Sequence, residues 1–563
     1  DYSIFIMRGL LQEFKTGEKN LNSYKTSILL SAITTITGIG VLIFARHPAL
    51  KSIALVSIIG ILSVVLISYT LQPLLFRFIY LYKGQKRFAP ITFFDFIISI
   101  LTLFIFLFGC ISMTVLLPVF YILPIRKKFK KLLMNYSIML FCRFIVYFNF
   151  QIRKTLVNFN SSTFKEPAII ISNHQSHLDL VLLLMLHPKI IVLTNTWVWR
   201  SRFYGLIVRN ADYYPVTEGY ENILQALKQK VKDGYSILVF PEGGRSENCE
   251  IKRFHKGSFY LADKLNLEIL PVIIHGAGHC LTKVEFFLRS GSITVKMFDR
   301  INIKNGKHGN TYLLQAKSIA KFYREEFDKM KLEYETPNYF RNRLIKQYIY
   351  KGPILEWYTR IKLKLEKNYT LFNDLIPKKA SIVDIGCGYG YLPYMLNLFS
   401  NERIITGVDY DKDKIDVAAK ISQDIPNLSF IHTDIDAYEL PNSDVFILND
   451  VLHYMPEDNQ LETIRKCISK LNKNGKIIIR DADANIKRGT FFTKLTELYG
   501  TRSGFNKMGY KRLFFIGGNK ITDLVSGYNM DVKIIDNTKF TSNLIYFIEF
   551  KNNQESELKE ISE

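Results

Sequence analysis

Three long runs without a charged side chain lie before residue 125 and constrain this chain's fold more than anything that follows. Thr26–Ala45 covers 20 residues and Ser52–Phe76 covers 25. Each is long enough to cross a hydrocarbon core of roughly 30 Å. Only RHPALK separates them, so they read as a membrane hairpin. Lys15, Lys19 and Lys25 precede it, and Arg77, Lys83, Lys86 and Arg87 follow it. Basic segments at both outer ends place those ends in the cytoplasm. A third run, Phe96–Leu123, has 28 residues with Gly109 near its middle. As one helix it would reach about 42 Å, longer than a crossing needs. RKKFKK follows at 126–131. The charge rule therefore favours a re-entrant or surface hairpin over a single tilted span.

Behind these runs the composition is that of a globular protein, and 563 residues suit three or four domains. The net charge is +23. No nucleic-acid module is legible, so the partner expected for this charge is an anionic lipid surface. Six scattered cysteines without a CxxC pair argue against a disulfide framework or a metal site, and suit a reducing compartment. The chain opens at Asp1 on what reads as the end of an apolar helix. It is expected to be a fragment of something longer, on which no signal peptide can be judged.

From residue 126 short apolar strands alternate with helical stretches: PAIIIS, SILVF, EILPVII and SITVKMF. Residues 335–370 are basic, aromatic and helical in pattern, and read as a linker. SIVDIG, RIITGVD, LSFIHTD, DVFILND and GKIIIRD then mark a second unit, a parallel sheet wound with helices. The expected boundaries are a membrane segment at 1–90, the hairpin or span at 91–125, one α/β domain at 126–334, the linker at 335–370, a second α/β domain at 371–550 and a polar tail at 551–563.

In ISNHQSHLDL a strand ends at Ser172 and a helix follows. His174 and Asp179, five apart across that turn, can pair through one imidazole nitrogen. The other is then left to take a proton from an alcohol, with the carboxylate supporting the imidazolium. Further on, LVFPEGGRS delivers Glu242, Gly243 and Arg245 through a glycine turn; the guanidinium is an oxyanion binder. RFHKGSF and ILPVIIHG follow. In this order the blocks resemble the glycerolipid (1-acylglycerol-3-phosphate type) acyltransferase family. The resemblance implies His174 as base, Asp179 as its partner, and Glu242, Gly243 and Arg245 at the acceptor, with Pro271 in the last block. It also implies acyl-CoA or acyl carrier protein as donor. Two positions depart: Gly244 stands where the family often has Thr, and Thr217 and Glu218 stand where it usually places an Arg that holds the acceptor phosphate. Arg209 or Lys256 could supply the missing cation. A carboxylate there repels a phosphomonoester, so the expected acceptor is a lipid, glycolipid or polyene-type alcohol rather than lysophosphatidate. His177 and His255 read as polar loop residues.

In SIVDIGCGYGY the strand ends at Asp384 and runs through Gly386, Gly388 and Gly390 to a helix start, where free N–H groups can meet a nucleotide-like ligand. Asp409 ends the next strand and can take both ribose hydroxyls. Asp434 follows the third strand, and Asn449 and Asp450 follow the fourth. The glycine spacing is not GxGxxG. The series resembles a class I methyltransferase over 370–550. That implies S-adenosylmethionine held by Asp384, Gly386, Gly388, Asp409 and Asp434, with Asn449 and Asp450 near the methyl donor. For His453 and Tyr454 a substrate role and a packing role both stand open.

The N-terminal segment resembles the last membrane helices of MMPL-type exporters of the RND superfamily, whose proton relay uses an Asp-Tyr pair matched here by Asp1 and Tyr2. The expected whole is multidomain: membrane helices, an α/β acyltransferase domain and a Rossmann-like methyltransferase domain. It would act as a bifunctional transferase with its catalytic domains on the cytoplasmic face of a bacterial inner membrane. The alternative is the C-terminal part of a lipid or pigment exporter with fused enzymatic domains.

Overall fold

The first two uncharged runs lie in the helical stretches Leu21–Phe44 and Pro48–Tyr80, both long and apolar enough to cross a membrane. The turn between them is set by sequence: Pro48 needs no N–H partner in the first turn, and His47 accepts the Ala49 N–H through Nδ1 at 3.2 Å. Leu30, Val56, Ile59 and Leu66 face outward, as lipid-facing side chains do. A preceding helix, Tyr2–Thr16, buries Ile6 and Leu10, and its Phe14 ring packs edge-on to Phe76 and tilted to Tyr80, with centroids 5.7 and 5.4 Å away. Tyr2 reaches Ser31, oxygen to oxygen 3.3 Å, while Asp1 lies outside the described residues. In this computed structural model those are 2–16, 20–82, 85–87, 89–122, 124, 126–160, 163–202, 204–216, 219–486, 512–537 and 542–551. They fall into two compact units: residues 91–342, and residues 1–90 together with 343–563.

The third run corrects the expected fold-back. Phe93–Ile122 is one continuous helix of 30 residues, because an apolar stretch in a low-dielectric setting satisfies its backbone only by staying helical. Gly109 does not break it. A Cβ there would stand 2.1 Å from Cζ of Phe141, so the missing side chain lets this helix touch its successor, Lys127–Phe148. That second helix makes the return. It buries Met134, Ile138, Cys142 and Val146 in the core of its unit. The cationic cluster at its start is partly used within the protein: Lys131 pairs with Asp212, and Lys128 with Asp233 at 2.9 Å.

Residues 91–342 enclose a seven-stranded sheet: β1 (Ile152–Val157), β2 (Ile169–Ser172), β3 (Ile190–Thr194), β4 (Tyr214–Pro215), β5 (Ser236–Val239), β6 (Ile269–His275) and β7 (Gly291–Met297), in spatial order β1-β7-β6-β2-β5-β3-β4. All neighbours are parallel except β6 and β7. The central strands β2, β5 and β6 are buried along their whole length, as their unbroken apolar runs require. Tyr323 locks two of them, donating to Ile171 O at 2.6 Å and accepting from Val272 N at 3.3 Å.

The other unit holds β8 (Ser381–Ile385), β9 (Ile404–Asp409), β10 (Leu428–His432), β11 (Ser443–Asn449), β12 (Leu471–Ala482), β13 (Met530–Ile535) and β14 (Asn543–Phe550), in order β10-β9-β8-β11-β12-β14-β13. β14 runs antiparallel to both neighbours and the other pairs are parallel. The order reverses beside β8, and in open α/β sheets the ligand crevice lies at such a reversal. The fold is therefore multidomain, with apolar helices and two α/β sheets.

Gly109→Leu is expected to open the helix seam and lower stability by about 1–3 kcal/mol. Thermal unfolding of the detergent-solubilised chain measures this, and Phe141→Ala in the same chain should recover part of the loss.

Candidate active sites

β2 ends at Ser172, and the polar turn behind it is pinned from several sides. Asn173 bridges to β6, donating to Ile274 O at 2.9 Å and accepting Ile274 N–H at 2.8 Å. Asp179 sits in the first turn of the helix Leu178–Leu184, fully buried. Its Oδ2 accepts the N–H groups of Gln175 and Ser176 at 2.6 and 2.7 Å and lies 2.9 Å from His174 Nδ1. The His174 ring stacks on Phe240, centroids 4.2 Å apart, and its side chain keeps 19% of its surface open. With Nδ1 committed to Asp179, Nε2 is the nitrogen left for chemistry.

Glu242 lies against this turn rather than out in solvent. Its Oε1 accepts the His174 N–H at 3.0 Å and its Oε2 the Lys252 N–H at 3.2 Å. Burial pushes its carboxyl up to about 7, against those two N–H groups and His174, which favour the anion, and with Asp179 adding to the rise. Gly243 has φ +69°, and a Cβ there would sit 3.2 Å from His255 Nε2. Arg245 donates to Lys283 O at 3.4 Å, and burial lowers its pKa. The loop that carries Glu242, Gly243 and Arg245 is tied to the His174–Asp179 turn by Glu242 and by Ser246 N–H, which donates to His174 O at 2.8 Å. Gly244 has open space where a Cβ would be. Pro271 lies inside β6, its carbonyl taken by Phe298 N–H. Thr217 and Glu218 lie outside the described residues. Arg209 rests over Trp199 and bonds its carbonyl at 3.1 Å, and Lys256 heads the helix Gly257–Leu265. Asn173 was not singled out from sequence, although it directly precedes the His of the motif.

In the second unit, residues from the ends of β8, β9 and β11 line one cavity: Asp384, Gly386, Gly388, Asp409, Asn449 and Asp450. A Cβ on Gly386 would meet Val451 at 2.3 Å and one on Gly390 would meet Phe430 at 2.5 Å; at Gly388, φ +55°, nothing comes nearer than 3.9 Å. Asp409 orders the loop, accepting Gly388 N–H and Asp411 N–H, each at 2.8 Å. Asp384 is buried, and its Oδ1 has no hydrogen-bond partner among the described residues; burial, then Asp409, raise its pKa well above the ordinary range. Burial would also raise Asp450, but Arg480 and Lys362 hold it below the usual carboxylate range. Asp434 is not brought in: it lies exposed, its Oδ1 taking Asp436 N–H at 3.1 Å. His453 is buried with Nδ1 2.6 Å from Asp481 Oδ1, and its neighbour Tyr454 lines the cavity.

Tyr358, Lys362, Glu366 and Tyr369 also line the cavity. All four come from the stretch read as a linker. The signal available was the helical repeat of Tyr358, Lys362 and Glu366 on one face.

Residues 149–275 match the family model described as acyltransferase, 376–512 that of a methyltransferase domain and 1–86 that of the MMPL family. The 1-acyl-sn-glycerol-3-phosphate acyltransferase of Cocos nucifera is 31% identical over 140 residues, 24% of this chain and 46% of that protein. The chain thus spans less than half the length of this curated relative. The solved 1-acyl-sn-glycerophosphate acyltransferase PlsC of Thermotoga maritima is 20% identical, covering 41% of this chain and 96% of its own, with TM-score 0.35. The S-adenosylmethionine-dependent methyltransferase SibL is 13% identical, covering 37% and 61%, with TM-score 0.29. The chain carries a segment like acyltransferases and a segment like methyltransferase domains, behind a segment like the MMPL family.

Glu242→Gln supplies a pH test. A carboxyl raised from 4.5 to about 7 on folding binds its proton more tightly in the folded state. It therefore withdraws stability as pH rises between those values, by up to about 3 kcal/mol. Wild type should unfold at lower temperature at pH 7.5 than at pH 5 relative to the Gln variant, whose profile over that window should be flatter.

Proposed function

We propose that the 91–342 unit transfers an acyl group from a CoA or acyl-carrier-protein thioester to a hydroxyl of a lipid or lipid-like acceptor. The observation that carries this is the 2.9 Å contact of His174 Nδ1 with a buried Asp179 that is itself held by two backbone N–H groups. His174 Nε2 removes the acceptor's hydroxyl proton as that oxygen attacks the thioester carbonyl. The ester bond forms, the C–S bond breaks, and the imidazolium returns its proton to the leaving thiolate. Asp179 supports the transient positive charge, and no enzyme nucleophile is needed. Glu242 is a positioning residue for the His174 backbone, and Arg245 is the cation available to an anionic part of either substrate.

The second unit fits S-adenosylmethionine, which supplies an electrophilic methyl group when bound. The unpartnered Asp384 oxygen is an acceptor for an ammonium donor, the open face at Gly388 admits a ligand against the backbone, and Asp409 offers lone pairs to ribose hydroxyls. Two donors made in the cytosol, together with basic outer ends on the first two spans, support a reading in which both sites lie on the cytoplasmic face of a bacterial inner membrane.

His174→Ala should reduce acyl transfer by about 10²–10⁴ without releasing the chain from membranes. The assay compares the full chain in vesicles on lysophosphatidate and on neutral lipid alcohols. Near-wild-type acylation of either by a folded variant removes the mechanism. Asp409→Ala should weaken S-adenosylmethionine binding by roughly 10–100-fold, the loss of a charged hydrogen-bond acceptor, with acylation unchanged. Calorimetry on the full chain decides this.

A further inference from the structure

The helix Pro353–Leu365 divides its surface three ways. Leu355, Thr359 and Leu363 are buried, while Tyr358 and Lys362 edge the methyl-donor cavity. Ile354, Trp357, Ile361 and Leu365 face out, exposed by 72, 55, 36 and 71%. At 100° per residue those four fall within about 80° of arc. The same helical wheel puts Tyr358 on one flank of the stripe and Arg360 and Lys364 on the other. Single exposed apolar side chains are ordinary, but a continuous stripe containing Trp and edged by cations is the composition of a helix lying in a membrane interface.

A second observation says which surface covers the stripe. The Tyr350 ring, three residues before the helix, lies 5.8 Å from the Phe14 ring, and Lys420 Nζ stands 4.6 Å over that same ring. Phe14 packs on Phe76 and Tyr80, where the second uncharged run ends beside Arg77. The helix therefore starts at the level where the chain's own apolar helices leave the hydrocarbon. Gly352, at φ +112°, and Pro353 in the first turn set its direction there.

We propose that Pro353–Leu365 lies on that same bilayer, stripe inward, and that the methyl acceptor is a bilayer-resident molecule entering the cavity along the Tyr358–Lys362 edge. The docking stands on the stripe and its anchorage. The acceptor's route rests on the methyl-transfer reading above.

Trp357 reports the docking directly. The chain has three tryptophans, so Trp197→Phe with Trp199→Phe leaves it alone. The full chain is reconstituted in phosphatidylethanolamine–phosphatidylglycerol vesicles with and without lipids brominated near the headgroup. The expected result is blue-shifted Trp357 emission that the brominated lipid quenches severalfold. Quenching should be relieved when Ile354, Ile361 and Leu365 are changed to Ser, with S-adenosylmethionine affinity unchanged. Water-like emission indifferent to bromine overturns the proposal. So does blue-shifted emission that bromine does not touch, which would mean that a protein surface, such as a second copy, covers the stripe. Calorimetric titration of the same sample with S-adenosylmethionine separates the two readings. Quenching without binding keeps the docking and removes the acceptor's route, whereas binding without quenching removes both docking and route and leaves the methyl-transfer reading standing.

Discussion

A fully buried carboxylate costs several kcal/mol unless donors replace its water, and the turn after β2 is organised around meeting that cost at Oδ2 of Asp179, while Oδ1 has no hydrogen-bond partner among the described residues. Three donors converge on one oxygen: two successive backbone N–H groups and the His174 ring. The same bonds that make the charge tolerable fix the imidazole's orientation. Stability and chemistry therefore draw on one set of contacts. The surrounding pins serve it: Asn173 to β6, Ser176 to Leu281, Gln175 to Cys249 and Glu242 to the His174 backbone.

The second unit uses a related device at the end of β9. Asp409 accepts the N–H of Gly388 from the neighbouring loop and of Asp411 from its own, so the glycine turn is held open before any ligand arrives. Asp384 contrasts with it. It is buried beside another carboxylate and one oxygen lacks a partner among the described residues, an arrangement that a cationic ligand group relieves.

Much of this was legible in the residues. His174 and Asp179 are close in sequence, and a strand-to-helix turn leaves few ways for them to meet. The glycine loop and Asp409 follow from the strand pattern. Three things were not legible. The role of Gly109 was hidden because its partner, Phe141, lies in another helix, and glycine serves close approach as readily as a turn. Asp434 was placed by family pattern, but its turn closes on Asp436 instead. The stretch 335–370 looked like a linker because basic, aromatic composition says nothing about which face meets a cavity. Tyr358, Lys362 and Glu366 acquire meaning only once β8 and β11 stand beside them.

One compact unit is assembled from both ends of the chain, residues 1–90 and 343–563, with the other unit's residues strung between them. This imposes an order on biosynthesis. At ~5–20 residues per second, the intervening stretch takes roughly 13–50 s to emerge from the ribosome. During that interval Phe14 has Phe76 and Tyr80, but neither Tyr350 nor Lys420 yet exists to cover its other side. The acyltransferase sheet has its whole sequence available before the methyltransferase sheet has begun. A ribosome stalled after residue 342 would therefore have made both helical stretches Leu21–Phe44 and Pro48–Tyr80 and every residue of the 91–342 unit, with the Phe14 ring still waiting for its cover.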